Sequence, residues 1–151
     1  MATGIIPIDK PQGWTSQDVA AKLRGVFHER RVGHGGTLDP MACGVLPVLV
    51  GSAASVQELV MEHDKTYKAG VLFGVTTDTG DVTGSVLDAK PPSFDDAALK
   101  ETLARFTGEI DQVPPMYSAL KVDGQKLYEL ARRGETVERK ARKVTVYGIR
   151  L

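Results

Sequence analysis

The chain has 151 residues, 42% of them apolar and 25% charged, with 19 Lys and Arg set against 19 Asp and Glu. That length and balance fit one soluble globular domain able to bury a core, with no internal repeat or low-complexity segment. No run approaches 18 apolar residues, which excludes a membrane-spanning helix, and a net charge of zero is not that of a purely electrostatic nucleic-acid binder.

Met1-Ala2-Thr3-Gly4 is not a basic segment followed by an apolar one, so no secretory signal is read there. The single Cys43 cannot form an internal disulfide, which suits a cytoplasmic protein. His28, His34 and His63 share no ligand spacing, so no metal site is expected. Charge is unevenly spread. Residues 1–114 carry ten Lys and Arg against fifteen Asp and Glu, and residues 115–151 carry nine against four. A basic end can be a phosphate-binding surface or a solvated face laced with ion pairs.

In chain order, residues 4–8 read as a short strand. The turn-rich Asp9-Lys10-Pro11-Gln12-Gly13-Trp14 follows, with Trp14 expected to anchor this loop to the core. Thr15 or Ser16 can cap a helix running to residue 28, and Thr15 with Asp18 three residues on resembles a capping box. Val19, Leu23, Val26 and Phe27 share one face, which should pack on a sheet. Residues 45–50 read as a buried strand. Residues 52–63 read as helical, with Val56, Leu59, Val60 and His63 on one side and His63 favoured by the helix dipole. Residues 65–74 alternate as a strand with Tyr67, Ala69, Val71 and Phe73 on one face, where Tyr67 could be a core aromatic. A polar loop at 75–81 precedes a strand at 84–89. A helix at 95–106 should turn Leu99, Leu103 and Phe106 inward and end at Gly108. Then come a strand at 116–122, a helix at 127–134, a charged connector at 135–142 and a last strand at 143–151.

The stretch the chain is organised around is Arg31-Val32-Gly33-His34-Gly35-Gly36-Thr37-Leu38-Asp39-Pro40-Met41-Ala42-Cys43-Gly44-Val45-Leu46. Its glycines allow another molecule to approach the backbone closely. Pro40 biases Asp39 towards an extended conformation. An acid on a glycine-rich loop backed by a buried strand can present a carboxylate to a ligand. The same Gly, Asp and Pro also make an ordinary turn. No Gly-Lys-Ser/Thr follows, so this is not a phosphate loop, and no strand–GxGxxG–helix order marks a dinucleotide site.

Gly33-His34-Gly35-Gly36-Thr37-Leu38-Asp39-Pro40-x-Ala42-x-Gly44-Val45-Leu46-Pro47 resembles the catalytic motif of the TruB family, the tRNA pseudouridine-55 synthases. Gly36 and Cys43 depart from the family's pattern, and neither touches the carboxylate. Lys10-Pro11-x-Gly13, Lys65-x-Tyr67-x-Ala69, Thr77-Asp78-Thr79-Gly80-Asp81 and Pro114-Pro115-x-Tyr117-Ser118-Ala119-x-Lys121 match further family segments in family order. The resemblance implies that Asp39 is the catalytic nucleophile. It implies that His34 contacts the flipped-out uridine and that Tyr67 stacks on it. It brings Tyr117 and Lys121 towards the cleft. No cofactor and no metal are implied. The partner is the T stem-loop of tRNA, and the protein is expected to be a monomer.

The family's catalytic domain extends further, with a later Arg that pairs with the nucleophile and often an RNA-binding domain. These motifs have no counterpart within the 151 residues, which are therefore expected to be the N-terminal portion of that domain. A non-catalytic RNA-binding or RNA-folding module is the alternative in a different class, and a guide-RNA-dependent synthase would need surfaces this chain does not show. The expected fold is α+β, a mixed, mainly antiparallel sheet flanked by helices, pseudouridine-synthase-like, with the 33–44 loop lining a cleft.

Overall fold

A computed structural model describes residues 2–61, 63–118, 120–122 and 124–151. It is built of helices and antiparallel strands, the α+β class expected, and divides into two compact units, Met1–Lys68 and Ala69–Leu151. Every described strand pair is antiparallel, and the pairs form one three-stranded and three two-stranded sheets. Among the described residues no helix is long and apolar enough to cross a membrane.

The first unit runs β1 (Gly4–Lys10), α1 (Ser16–Phe27), β2 (Val32–His34), β3 (Gly44–Val50), a 3-10 helix (Gly51–Val56) and α2 (Gln57–Met61). Its sheet order is β1-β3-β2, with Gly4 opposite Val50, Lys10 opposite Gly44 and His34 opposite Val48. β3 is central, so its apolar run is covered as a buried strand's should be. Leu46, Val48 and Val50 share one face by the period of two and join Val19 and Ala20 of α1 and Val32 of β2 in the core. Ile6, Ile8, Leu23, Phe27 and Leu38 pack against this cluster. Val26 of α1, expected on the packed face, is instead exposed. It lies in the last turn, where the helix is about to leave the sheet through His28 in the left-handed conformation.

The start of α1 is the capping box that the spacing predicts. Thr15 Oγ1 accepts from the Asp18 amide at 3.0 Å, and Asp18 Oδ2 accepts from the Thr15 amide at 2.8 Å. β2, read from sequence as loop, pairs with β3 and stops at His34. The amide of Gly35 still donates to the Pro47 carbonyl at 2.8 Å, but Pro47 has no N–H to return the bond. The ladder therefore ends where the glycine-rich segment must begin. His63 lies just past α2, and its Nδ1 pairs with the Val60 carbonyl, the role expected for it. Val56 and Leu59, read as lying on one side with Val60, are exposed.

The second unit runs β4 (Val75–Thr77), β5 (Val86–Ala89), α3 (Asp96–Arg105), β6 (Gly108–Gln112), β7 (Lys121–Val122), β8 (Gln125–Lys126), α4 (Leu127–Arg132) and β9 (Arg142–Val146). β4 pairs with β5, β6 with β9 and β7 with β8. Asp95 caps α3 by accepting from the Ala98 amide at 2.8 Å. Leu99 and Leu103 are half-buried, while Phe106, expected inward, is exposed beyond the helix end. Leu127 and Leu130 of α4 are buried, as is Pro114.

Three strand expectations need correction. Residues 65–74 form no strand: a strand needs a partner for its N–H and C=O groups, and no described strand pairs with them. Of the strand expected at 116–122, Lys121–Val122 pairs as β7, while the carbonyls of Ser118 and Leu120 bond the start of α4 instead of a strand. The last strand stops at Val146, because its partner β6 starts at Gly108 opposite that residue.

Candidate active site

Asp39 is exposed in a tight turn, its carbonyl accepting from the Ala42 amide at 3.0 Å. The Asp-Pro order suits this turn, since Pro40 supplies the φ of the second position. The residues on both sides of Asp39 are tied to the segment that joins β1 to α1. On one side the Leu38 amide donates to Ser16 Oγ at 2.9 Å, and the Ser16 hydroxyl lies 3.5 Å from the Leu38 carbonyl. On the other side the Pro40 carbonyl accepts from the Gly13 amide at 2.7 Å, with Lys10 Nζ 3.5 Å away. Asp39 is thus a surface carboxylate on a backbone held at both flanks. The ordinary turn that Gly, Asp and Pro allow is formed, and it leaves the Asp39 carboxylate exposed.

Lys10 was legible as part of a motif but not as a buried residue. It is fully buried, and its ammonium donates to the carbonyls of Trp14 at 2.6 Å and Pro11 at 3.0 Å. The signal was present in the period of two: Ile6 and Ile8 face the core, and Lys10 is in phase with them. A buried ammonium must find acceptors, and the turn-rich loop supplies carbonyls. Trp14 departs from expectation. The residue is 40% exposed, and the contact that ties it to a buried group is its carbonyl, which accepts from Lys10.

His34 is half-buried at the end of β2, and its Nδ1 lies 2.5 Å from the Gly36 carbonyl. A carbonyl cannot donate, so Nδ1 carries the proton. In the neutral ring Nε2 is then an acceptor, free to meet an N–H of a ligand. Gly35, between them, is buried. A Cβ there would stand 2.5 Å from Val60 Cγ1 and 3.3 Å from Pro47 Cβ, so the segment crosses the sheet edge only as glycine.

Tyr67 belongs to the first unit and is 66% exposed, not the core aromatic that strand periodicity allowed. Lys65, two residues earlier, donates to the carbonyls of Met61 at 3.0 Å and His63 at 2.9 Å, fixing the chain as it leaves α2.

Tyr117 and Lys121 lie in the second unit and both are exposed. The Ser118 carbonyl accepts from the Tyr128 amide at 3.1 Å, and that of Leu120 from the Leu127 amide at 2.8 Å, so this segment is pinned to the start of α4. Lys121 stands opposite Lys126, whose Nζ lies 5.4 Å from the Tyr128 ring centroid; Arg132 lies 5.3 Å from it on its own account. Ala119 of the matching motif lies outside the described residues. Of the polar loop expected at 75–81, Val75–Thr77 pairs as β4 and the rest is a built hairpin end. Asp81 Oδ1 accepts from the Thr83 hydroxyl at 2.6 Å and amide at 2.8 Å and from the Thr79 hydroxyl at 2.8 Å, and these bonds hold its carboxyl below the ordinary value.

Asp39 thus stands on a Gly-rich turn anchored at both flanks beside an antiparallel sheet, and comparison with known proteins supplies the family. Residues 24–151 match the model of the TruB family pseudouridylate synthase N-terminal domain, and the chain belongs to that family. It is 49% identical over 148 residues to tRNA pseudouridine synthase B of Azoarcus sp. (strain BH72), covering 98% of this chain and 49% of that one. The same figures hold for tRNA pseudouridine synthase B of Burkholderia mallei (strain NCTC 10247). The chain thus spans about half the length of the curated relatives it matches. Among solved structures, the crystal structure of a Cbf5-Nop10-Gar1 complex covers 96% of this chain with a TM-score of 0.60 and 26% identity, the match taking in 34% of that chain.

Proposed function

We propose that the protein to which this chain belongs converts uridine to pseudouridine in tRNA, at position 55 of the T arm, with Asp39 as the nucleophile. The reaction breaks the N1–C1′ bond, turns the base, joins C5 to C1′ and releases the C5 proton, while the freed N1 takes up a proton. No group is added and no electrons are exchanged, so the chemistry calls for no redox cofactor. As C1′ develops oxocarbenium character, a carboxylate beside it stabilises or traps the charge. The observation that carries the reading is the geometry of Asp39: exposed, and flanked by two anchored residues at the family's Leu-Asp-Pro position.

The target base sits within a stem-loop and must be flipped out, at a cost of a few kcal/mol. Stacking on an exposed aromatic returns ~1–3 kcal/mol per base, the role we assign to Tyr67. His34, whose Nδ1 donates to the Gly36 carbonyl, contacts the flipped nucleotide through its other ring nitrogen. Tyr117 and Lys121 contribute on the RNA side, where the basic segment 115–151 suits a phosphate backbone. On this reading residues 1–151 are the N-terminal portion of the catalytic domain, and the protein works as a cytoplasmic monomer. The test is tritium release from a tRNA transcript labelled at uridine C5, using the intact protein. Release confined to position 55 supports the reading. RNA binding without release would favour the non-catalytic RNA-binding module.

A further inference from the structure

We propose that Ser16 is a positioning residue for Asp39, holding the carboxylate's backbone through Leu38. Ser16 is the first residue of α1, one position past the cap where a serine ordinarily serves the helix end. Here that duty falls to Thr15, whose hydroxyl takes the Asp18 amide. The Ser16 hydroxyl is therefore free for a long-range task. It accepts from the Leu38 amide at 2.9 Å and faces the Leu38 carbonyl at 3.5 Å, across 22 residues of sequence. Ser16 is 2% exposed, so water is not an easy substitute partner. Leu38 packs its side chain against the core cluster that contains Val19 and Ala20 of the same helix. The peptide leading into Asp39 is thus fixed at its amide, at its carbonyl and at its side chain, all by α1 and the core beneath it.

This inference rests on the proposed reaction for its consequence in rate but not for its geometry. A loop free to shift by 1 Å loses about 10²-fold in rate by misplacing the reacting group. RNA affinity, set mainly by phosphate contacts and stacking, has no such dependence. Three variants of the intact protein decide it: Ser16→Ala, Ser16→Thr and, as a control for core damage, Val19→Ala. Single-turnover tritium release, RNA affinity at fixed salt and amide exchange at Leu38 are read for each. The expected result is a 10- to 100-fold slower turnover in Ser16→Ala, an RNA Kd within twofold of the parent and loss of protection at the Leu38 amide. Ser16→Thr, which keeps the hydroxyl, should recover rate and protection, and Val19→Ala should keep the parent's rate while lowering its melting temperature.

A Ser16→Ala rate within twofold of the parent, or an equal loss in Val19→Ala, overturns the proposal. If Ser16→Ala does not fold, a Ser16→Thr protein without Leu38 protection overturns it as well. If the parent itself releases no tritium, the proposed reaction fails, while the exchange measurement still decides whether Ser16 holds the loop.

Discussion

The ammonium of Lys10 and the carbonyl of Pro40 lie 3.5 Å apart across 30 residues of chain, and Trp14 and Pro11 offer the same ammonium their carbonyls. A charged group in the interior of a small unit is tolerated only when its donors are met. Here the donors are met entirely by backbone, and the result joins the end of β1 to the turn that carries Asp39.

Lys10→Met tests that join. Methionine matches the lysine stem but supplies no donor, so the Trp14 and Pro11 carbonyls lose their Lys10 partner while Pro40 keeps the Gly13 amide. Leaving such groups unmet should cost about 1–3 kcal/mol. Chemical denaturation should show a lower midpoint with an unchanged slope. An unchanged midpoint would mean that water replaces the ammonium without loss.

Gly35→Ala tests the packing of the glycine-rich segment against α2. The new methyl would meet Val60 Cγ1 at 2.5 Å and Pro47 Cβ at 3.3 Å, both part of packed elements. Overpacking of this kind costs about 1–3 kcal/mol. Gly36→Ala is the matched control, because a Cβ there meets nothing within 4 Å. Thermal melts should separate the two variants clearly, and equal melting temperatures would contradict the placement of Val60.

The cap of α1 predicts a pH dependence. Side-chain and backbone bonds from Thr15 hold the Asp18 carboxyl below its ordinary value. A group with a depressed folded pKa contributes stability that is present above the unfolded carboxylate value and is lost as pH falls through the folded one. Melting temperature should therefore drop on acidification across that window. In Thr15→Ala the bonds from the Thr15 hydroxyl are gone, and the acid-side drop should be shallower. An identical pH profile in the variant would sever Asp18 from the effect.

Much of this was legible in the sequence where one local signal dominated. Thr15 and Asp18 marked the helix start, and the apolar run before Gly51 marked β3, because capping and burial each act within a few residues. Asp39 was legible for the same reason, since the Asp-Pro pair dictates its own turn. The three-dimensional ties were not. Ser16 looked like one of two possible caps, and only its distance to Leu38 shows the other use. β2 was hidden inside a glycine-rich stretch because its pairing depends on β3. The false strand at 65–74 shows the reverse. Alternation at Tyr67, Ala69, Val71 and Phe73 is a property of the segment, but a strand is a property of a pair.

Asp39→Asn and Tyr67→Ala should separate chemistry from base placement. The amide of asparagine is nearly isosteric with the carboxylate, and the turn is held by backbone atoms of Leu38, Asp39 and Pro40 that the change leaves in place. The fold and the RNA affinity should therefore persist. The negative charge is gone, so neither attack on C1′ nor stabilisation of an oxocarbenium ion remains. Turnover in the intact protein should fall on the order of 10⁴-fold or more, as when a nucleophile is deleted elsewhere. Tyr67→Ala keeps the carboxylate and removes an exposed ring worth ~1–3 kcal/mol of stacking. Its rate should fall less, and its binding to RNA should weaken, whereas Asp39→Asn binds as the parent does. Tritium release paired with filter binding at one salt concentration reads both effects. Substantial release by Asp39→Asn would leave Asp39 a turn residue alone and send the search for the nucleophile to another carboxylate.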